Sequence, residues 1–408
     1  MAGPLSHIRI LDLSRIMAGP WAGQILADLG ADVIKVERPG TGDDTRAWGP
    51  PFLKDREGNE TSDAGYFLSV NRGKRSITLD ISTPEGQATV GELARHSDIV
   101  LENFKAGALA KYGLDYAGLK AKNPALIYCS ITGFGQTGPR KGQAAYDFMI
   151  QAMGGLMSVT GEPDGSPGGH PQKVGVPIVD IMSGMYAVIA VLAALARRGE
   201  TGQGEFIDIA MLDVQASFLA NQAMNYLISG KTPRRTGNAH PNIQPQDVFA
   251  CQDGHLVLVV GNDGQFEKFC AVIGRSELAS DKRFATNAAR VKNREVLTPL
   301  IAGIFAEGKL ADWLARLEEA GVPCGPINTV PMVFEDEQIK ERGMLVHVPH
   351  SAAGSVALVA SPMRFSEAPL AYHRAPPLLG EHTGQVLREF GLMDTDSASP
   401  PGREAPRK

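Results

Sequence analysis

Residues 8–37 have the sequence "IRILDLSRIMAGPWAGQILADLGADVIKVE", in which the order of apolar and polar residues predicts a strand, a helix and a second strand. The aliphatic and β-branched residues of 8–14 predict the first strand, and "DVIKVE" at 32–37 predicts the second. The segment between them places its apolar residues on one helical face: Trp21, Ile25, Leu26 and Leu29.

The same alternation continues along the first half of the chain. Further strands are predicted at 74–82, 98–103, 125–132 and 205–211, with helical segments between them. Thr83 followed by Pro84 predicts the start of one such helix, because Thr is a good N-cap and Pro fits the first helical position. Strands that alternate with helices predict an α/β fold, a Rossmann-like parallel sheet with helices on both faces.

Composition limits the classes of function. The 408 residues are too many for one ordinary core, so we expect two domains. A net charge of −5 without a long basic run gives no indication of a nucleic-acid surface. The four cysteines lie far apart without metal-ligand spacing, which predicts a reducing compartment and no metal site. The N-terminal residues do not have the pattern of a signal peptide, so a cytoplasmic protein is expected.

Residues 174–196 are long enough and apolar enough to span a bilayer. Pro177, Asp180 and Ser183 interrupt the first half, so we predict a buried core helix and no membrane insertion. A carboxylate among apolar residues is costly unless it is capped, paired or used. Asp180 therefore has three interpretations: an N-cap, half of a buried ion pair, or a nucleophile. Patterning slightly favours the N-cap, and the adjacent Gly-rich segment raises the nucleophile to near parity.

The segment 134–173 is dense in Gly and Pro, and a mobile loop is predicted at 161–172. Tyr146 and Asp147 open a short helix just before that loop, where an acidic residue in the first turn is common. His240 lies in a second Gly- and Pro-containing loop and is either a site residue or an ordinary loop histidine.

The first strand–helix turn occupies the position of a nucleotide site in a Rossmann fold. The GxGxxG fingerprint is absent, although Glu37 would suit an NAD ribose contact, so a plain doubly wound sheet is favoured over NAD binding. Basic residues nevertheless follow the strands, and Arg15 and Arg38 come directly after the first two. Since such sheets bind ligands at the carboxyl ends of their strands, these cations favour a polyphosphate.

Several longer segments together resemble class III CoA-transferases, the CaiB/BaiF-type family of formyl-CoA and carnitine CoA-transferases. The resemblance covers nearly the whole chain and includes "NRGKRSITLD", "LENFKAGALAKYGLDY", "YDFMIQAMGGLMSVTG", "VGVPIVDIMSGM", "PCGPINTV" and "LLGEHTGQVLREFGL". It implies that Asp180 is the nucleophile, covered by the Gly-rich segment. It implies a mixed anhydride, then an aspartyl-CoA thioester, with CoA thioesters as substrates and no permanently bound cofactor.

The resemblance also assigns contacts. Those implied for CoA are Arg15, Ile16, Ala18, Arg38, Asn71, Lys74, Asn103, Phe104, Ala108 and Lys111. Those implied for the acyl group are Met17, Tyr146, Asp147 and His240.

The implied architecture is a homodimer of interlocked rings. Each subunit would have a large CoA-binding domain of residues 1–225 and 330–392, built from both chain ends. A small α+β domain would take up 226–329, and 393–408 would form a disordered tail.

Formyl-CoA transferases carry glutamine where this chain has Met17 and glutamate where it has Asp147. The sequence of this chain is more similar to enzymes that use succinyl-CoA and small dicarboxylic acids. In such an enzyme, a second carboxylate could be held by Arg234, Arg235 or His240. Two alternatives stay open. A 2-methylacyl-CoA racemase would need a histidine where Tyr146 stands, and a non-catalytic nucleotide-binding protein would leave Asp180 without a role.

Overall fold

The computed structural model describes residues 3–393, which form two compact units. Within those residues, the first unit contains 3–154, 175–218 and 340–393, and the second contains 155–174 and 219–339. The first unit is thus built from both ends of the chain. The residues expected to form a disordered tail lie, from 394 onward, outside the described residues.

The strands within residues 3–393 are β1 Arg9–Asp12, β2 Asp32–Glu37, β3 Phe52–Lys54, β4 Glu60–Ala64, β5 Lys74–Thr78, β6 Ile99–Glu102, β7 Ile127–Thr132, β8 Glu205–Ala210, β9 Gln246–Ala250, β10 His255–Val259, β11 Cys324–Pro326, β12 Leu345–His350 and β13 Gly354–Val359.

The helices of the same residues are α1 Ala18–Asp28, α2 Gly65–Leu68, α3 Pro84–Arg95, α4 Tyr116–Lys120, α5 Asp147–Met153, α6 Leu156–Val159, α7 Ile178–Thr201, α8 Met211–Phe218, α9 Ala220–Ser229, α10 Asp263–Val272, α11 Glu277–Ser280, α12 Asn287–Lys292, α13 Arg294–Phe305, α14 Leu310–Glu319, α15 Val330–Glu335, α16 Glu337–Glu341 and α17 Thr383–Glu389.

A six-stranded sheet organises the first unit, in the order β5-β2-β1-β6-β7-β8. Every neighbouring pair in it is parallel, which confirms the predicted α/β fold. One core lies where α1 and α7 pack on the sheet, and a second involves α3, α4 and α17. The chain order reverses between β1 and β6, and at such a point the loops after two adjacent strands separate and leave a crevice.

Helix α7 packs closely on α1. At Gly184 an added Cβ would lie 2.6 Å from the Ala18 carbonyl oxygen, so only glycine permits this approach. Ala187, Val191 and other small or aliphatic residues of α7 are buried in the first core. Among residues 3–393, α7 is the single helix long enough and apolar enough to span a membrane. Buried core helices meet the same two criteria. The absence of α7 from a membrane stays a prediction.

The second unit contains a three-stranded antiparallel sheet, β11-β10-β9. Its core is aromatic, with Phe266, Phe269, Phe305 and Trp313 all buried. Its strand β11 has three residues and contains Gly and Pro, which are weak strand formers. The helical segment after β8 is interrupted: α8 ends at Phe218, and α9 begins at Ala220, whose φ is 44°.

The Gly-rich segment 155–174 belongs to the second unit, whereas the sequence placed it in the large domain. Gly237 donates its N–H to the Gly161 carbonyl oxygen at 3.1 Å. Arg235 donates to the Glu162 carbonyl oxygen at 3.1 Å and forms an ion pair with Asp164. These contacts join residues more than seventy positions apart in the sequence, and local patterns cannot show them.

Candidate active site

Two turns meet at the point where the strand order reverses, one following β1 and one following β6. The Arg15 N–H donates to Asn103 Oδ1 at 2.9 Å, and Asn103 Nδ2 donates to the Arg15 carbonyl oxygen at 2.6 Å. This reciprocal pair holds the two turns together. Ligands of open α/β sheets bind at such a position.

A first cavity opens beside these turns. Arg15 and Arg38 line it, both exposed, together with Leu79, Ile81 and the ring of Phe104. Cations beside apolar side chains suit a phosphorylated nucleotide, whose base needs an apolar surface and whose phosphates need positive charge. Sequence reasoning placed both arginines here but missed Leu79 and Ile81, which lie just beyond β5.

The floor of this cavity rests on buried charges. Lys35 Nζ lies 2.9 Å from Asp43 Oδ2, and its side chain is 1% exposed. Lys35 also donates to the Ser14 carbonyl oxygen at 2.8 Å, so it supports the turn after β1. Asp43 accepts the Ile16 N–H at 3.2 Å. Ile16 has φ 72°, a left-handed conformation that is strained for a β-branched residue and is held here by that contact.

Asn71 and Lys74 were expected to contact CoA, and the structure places their side chains inside the protein. Both are fully buried. Lys74 Nζ lies 2.9 Å from Asp12 Oδ2 and 3.0 Å from Asn71 Oδ1. Burial lowers the pKa of Lys74 to about 8, although Asp12 opposes that shift. In this conformation Lys74 links β1 to α1 through Asp12 and the Pro20 carbonyl oxygen. Neither side chain lines the first cavity or the cavity that contains Asp180.

A second cavity is lined by Asp180. Arg15 and Phe104 line both cavities, so these two residues form the boundary between them. Ile16, Ala18, Tyr146 and Lys141 line the second cavity as well. Tyr146 is 62% exposed.

Asp180 lies in the first turn of α7, but it does not cap that helix. The N-cap position is Pro177, and no side chain of its own caps the helix. Asp147 accepts the N–H groups of Val179 at 2.7 Å and Asp180 at 3.3 Å through Oδ2. Its Oδ1 accepts from Gln151 Nε2 at 2.6 Å. The N-cap interpretation of Asp180 is therefore wrong, because an acid from α5 takes the free amides of α7.

This arrangement changes the acidity of the site. Burial first, and the nearby charge of Asp147 second, raise the pKa of Asp180 to about 7. Burial and the charges of Asp180 and Asp147 also raise the pKa of Tyr66 to about 12, which keeps its phenol protonated. Tyr66 packs edge-on against Trp48 with ring centroids 5.2 Å apart. Sequence reasoning missed Tyr66, since nothing in "GYFLSV" marks it.

The remaining predicted residues are more scattered. Met17 is 5% exposed and does not line the second cavity, unlike its neighbours on both sides. Ala108 lines a third cavity beyond the turn after β6, and Lys111 lies over the ring of Tyr112 at 4.6 Å. His240 belongs to the second unit, where burial and Arg294 lower its pKa.

The chemistry available at Asp180 is nucleophilic. Its carboxylate lines a cavity, and among residues 3–393 no group donates a hydrogen bond to it, so both oxygens are available to a substrate. A carboxylate with a pKa near 7 is ionised at neutral to alkaline pH and is more basic than an ordinary aspartate. Within the same residues no cluster of His, Cys, Asp or Glu could hold a metal ion.

Known proteins match this chain over nearly its whole length. A family model described as CoA-transferase family III matches residues 5–383. The chain is 52% identical over 391 residues to a succinate–glutarate CoA-transferase of Agrobacterium fabrum, with 96% of each chain covered. It is 43% identical to a succinyl-CoA:glutarate CoA-transferase of Mus musculus, covering 96% of this chain and 87% of the relative.

Among solved structures, a CaiB/BaiF family protein from Brucella suis matches with a TM-score of 0.84 and 53% identity. The match covers 96% of this chain and all of that one.

Proposed function

The chain belongs to CoA-transferase family III and is a CoA-transferase, and we propose that Asp180 is the nucleophile with which it moves CoA from succinyl-CoA to a small dicarboxylic acid. Two of the relatives described above are named for succinate or succinyl-CoA and glutarate. Glutarate is therefore the first acceptor to test. The observation that carries the mechanism is the carboxylate of Asp180 in a cavity that borders a second one, which is lined by Arg15 and Arg38.

The proposed reaction proceeds by acyl exchange. A carboxylate oxygen of Asp180 attacks the thioester carbonyl carbon, the C–S bond breaks, and a mixed anhydride and CoA thiolate form. The thiolate then attacks the Asp180 carbonyl carbon, which releases succinate and leaves CoA as an aspartyl thioester. The acceptor carboxylate displaces the thiolate to give a new anhydride, and the thiolate takes the acceptor acyl group, regenerating Asp180. Each step exchanges one activated acyl group for another, so no external energy source is needed.

The groups around Asp180 suit this sequence. Its raised pKa makes it more basic and a better nucleophile, and it is ionised when the pH exceeds about 7. Tyr66, whose phenol stays protonated, is a hydrogen-bond donor near the carboxylate. Tyr146 lies at the same cavity and can approach the acyl group. We assign the acyl pocket to these groups, together with Met17 and Asp147, which the resemblance implies.

The nucleotide part of CoA is assigned to the first cavity. Arg15 and Arg38 supply the positive charge there, and Phe104 with Leu79 supplies apolar surface. Asn103 fixes Arg15 through the reciprocal pair described above. Ala108 and Lys111 would extend the binding surface beyond the turn after β6. Asn71 and Lys74 would contribute by supporting the sheet, since their side chains are buried.

A homodimer is part of the proposal. Helices α5 and α7 of the first unit carry large apolar side chains that are at least 37% exposed: Phe148, Met149, Met153, Met185, Tyr186, Ile189 and Leu192. An apolar surface of this kind marks an interface, and a second copy of the chain is the occupant that the family resemblance implies. All four cysteines are free, which suits the reducing cytoplasm that we propose as its location.

The direct test is mass spectrometry of the protein after incubation with succinyl-CoA, with and without hydroxylamine. A CoA-sized adduct or a hydroxamate is expected on the peptide that carries Asp180. Asp180→Ala is expected to bind CoA and to show neither product. If the wild-type protein binds CoA but no thioester leaves an adduct, the proposed mechanism fails, and deuterium exchange at C2 of a 2-methylacyl-CoA would then support the racemase.

Acceptor choice is tested by initial rates with glutarate and with butanoate, at a fixed succinyl-CoA concentration. A dicarboxylate acceptor predicts a far higher kcat/KM for glutarate. Equal values for the two acids would contradict recognition of a second carboxylate.

A further inference from the structure

Glu102 is a buried acid that has no role in the mechanism above. It is the last residue of β6 and is 5% exposed. Among residues 3–393 no lysine, arginine or histidine forms an ion pair with it, in contrast to Asp12 and Asp43 on the opposite side of the turn after β1. A buried carboxylate without a cation is costly, so the hydrogen bonds that Glu102 accepts must explain why it is buried there.

Those hydrogen bonds lead directly to the boundary between the two cavities. Glu102 Oε2 accepts the Phe104 N–H at 2.8 Å. Ser130 lies opposite Glu102 in the β6–β7 pairing, and its hydroxyl favours the ionised carboxylate. Ser130 Oγ in turn accepts from Gln136 Nε2 at 2.9 Å. Glu102 thus holds the main chain of the turn at Phe104.

That turn carries the two side chains that organise the binding surface. Asn103 forms the reciprocal pair with Arg15. The Phe104 ring lies 5.9 Å from the Arg15 guanidinium carbon and lines both cavities. Displacing the Phe104 amide would therefore move the surface on which the nucleotide and the thioester are aligned.

We infer that Glu102 is a positioning residue for the CoA thioester, which it serves by holding the Phe104 amide and, through it, the boundary between the nucleotide and thioester cavities. The inference rests on the proposed function, because it assumes that CoA occupies the first cavity. Glu102 itself lines the third cavity and neither of the other two, so it acts through Phe104 and does not touch substrate.

The surroundings of Glu102 make its protonation state sensitive to pH. Burial raises the pKa of Glu102 to about 7, against the effect of the Ser130 and Phe104 hydrogen bonds. The other titratable groups that face it are Tyr128 and Cys129 on β7, Asp208 on β8, Asp115 and Tyr116 at α4, and Lys105 in the turn. Burial raises the pKa of Tyr128 and of Cys129, so both stay neutral near pH 7. An ionised carboxylate accepts the stronger hydrogen bond, so CoA is expected to bind more weakly as the pH falls through 7.

The experiment uses the full-length protein and two variants, with free CoA as the probe in calorimetric titrations. Glu102→Ala leaves the Phe104 N–H without its acceptor and is expected to raise the Kd of CoA about tenfold. The KM for succinyl-CoA should rise in parallel, with kcat changed by less than about threefold. Glu102→Gln keeps an acceptor oxygen and is expected to restore the Kd to within about threefold of wild type. Glu85→Gln, an exposed acid of α3, is the matched control.

The pH dependence separates positioning from a purely structural role. The Kd of the wild-type protein is expected to rise between pH 8 and 6 by a few-fold more than that of Glu102→Gln, which cannot titrate; titration of CoA itself is common to both. A folded Glu102→Ala protein with a wild-type Kd would overturn the inference, as would parallel pH profiles of wild type and Glu102→Gln. Should Glu102→Ala fail to fold, the Glu102→Gln profile decides alone.

The same measurements keep the two proposals apart. A wild-type protein that binds CoA and forms the Asp180 adduct, while both variants bind equally well, contradicts only the role of Glu102. A wild-type protein that does not bind CoA contradicts the proposed site itself.

Discussion

Asp147 and Asp180 both lie at the N-terminal end of α7, but only Asp147 accepts hydrogen bonds from the free N–H groups of that helix. Asp147 takes the free amides of α7, which stabilise its negative charge. Asp180, in the same turn, is buried and is repelled by that charge, and both effects raise its pKa. The two acids thus differ: Asp147 accepts the helix N–H groups, whereas Asp180 is more basic than an ordinary aspartate.

The first prediction concerns the pH profile. Because Asp180 must be ionised to attack, kcat/KM for succinyl-CoA should rise about tenfold per pH unit below 7 and level off above it. Asp147→Asn keeps an acceptor oxygen for the amides but removes the charge, so it should move the midpoint down by about one unit. Asp213→Asn, an exposed acid in the first turn of α8, should leave the midpoint in place. An unchanged midpoint in Asp147→Asn would show that the charge of Asp147 does not act on Asp180.

The second prediction concerns stability. The pKa of Asp180 is raised from 3.8 to about 7 on folding, so ionisation disfavours the folded state. The stability that protonated Asp180 contributes to the folded state is fully present below about pH 4 and is lost as the pH rises through 7. Asp180→Asn has no such loss, and its free energy of unfolding should exceed that of wild type above pH 7 by on the order of 2–4 kcal/mol. Urea denaturation at pH 4 and 8 checks this; an equal difference at both pH values contradicts it.

At this scale the sequence predicts single residues but not their pairings. Asp180 was recognisable because a carboxylate stood alone among apolar residues. The capping role of Asp147 depends on a contact across 32 positions, which no local pattern contains. Lys74 was expected at the nucleotide site because the family resemblance implies it, yet its side chain is buried against Asp12, which lies 62 positions away.

Among the elements, α7 connects the core of the first unit to its chemistry. Gly184 brings α7 against α1, one helical turn after Asp180 and beside Ala18, which also lines the Asp180 cavity. The position of Asp180 in the cavity that Ile16 and Ala18 also line therefore depends on helix packing, not on a loop.

The third prediction tests that dependence. Gly184→Ala places a methyl group 2.6 Å from the Ala18 carbonyl oxygen, so α7 must shift. We expect a loss of about 1–3 kcal/mol in the free energy of unfolding and a fall in kcat of about tenfold or more. Gly199→Ala, in the same helix with nothing within 4 Å, should stabilise the protein by up to about 1 kcal/mol without affecting kcat. Equal kcat values for the two variants would contradict the positioning role of the packing.

Elements with strong local signals were predicted well. Thr83 accepts the Gly86 N–H and Pro84 begins α3, as the sequence indicated. The parallel sheet followed from alternating apolar strands and helices. The β12–β13 hairpin was missed because "LVHVPH" contains a proline and two histidines, which hide the alternation of buried residues. The break before Ala220 has no sequence signal at all, since neither Gly nor Pro marks it.

For the molecule as a whole, the apolar surface of α5 and α7 calls for a partner. Ile189 is 60% exposed and Phe148 57%, in a helix pair that also carries Asp147 and Asp180. Apolar side chains in such number are unfavourable in water unless they are covered.

The fourth prediction is that Ile189→Glu disrupts the proposed dimer. A charge at the centre of an apolar interface costs several kcal/mol of association energy, so sedimentation should give a monomer at concentrations where wild type is a dimer. Glu200→Gln, on the exposed last turn of α7, is the control and should stay dimeric. A monomeric wild-type protein would contradict the dimer, and a dimeric Ile189→Glu would place the interface elsewhere.

The buried charges beneath the first cavity give the molecule two different responses to ionic strength. Exposed pairs such as Arg15–Asp44, with side chains 47% and 43% exposed, weaken as the Debye length falls from about 10 Å at 0.1 M salt to about 3 Å at 1 M. Mobile ions do not reach Lys35–Asp43 or Lys74–Asp12, whose side chains are at most 1% exposed. Concentrated salt should therefore release the nucleotide by shielding its phosphates from the arginines while the floor under them keeps its shape, so that desalting restores binding at once.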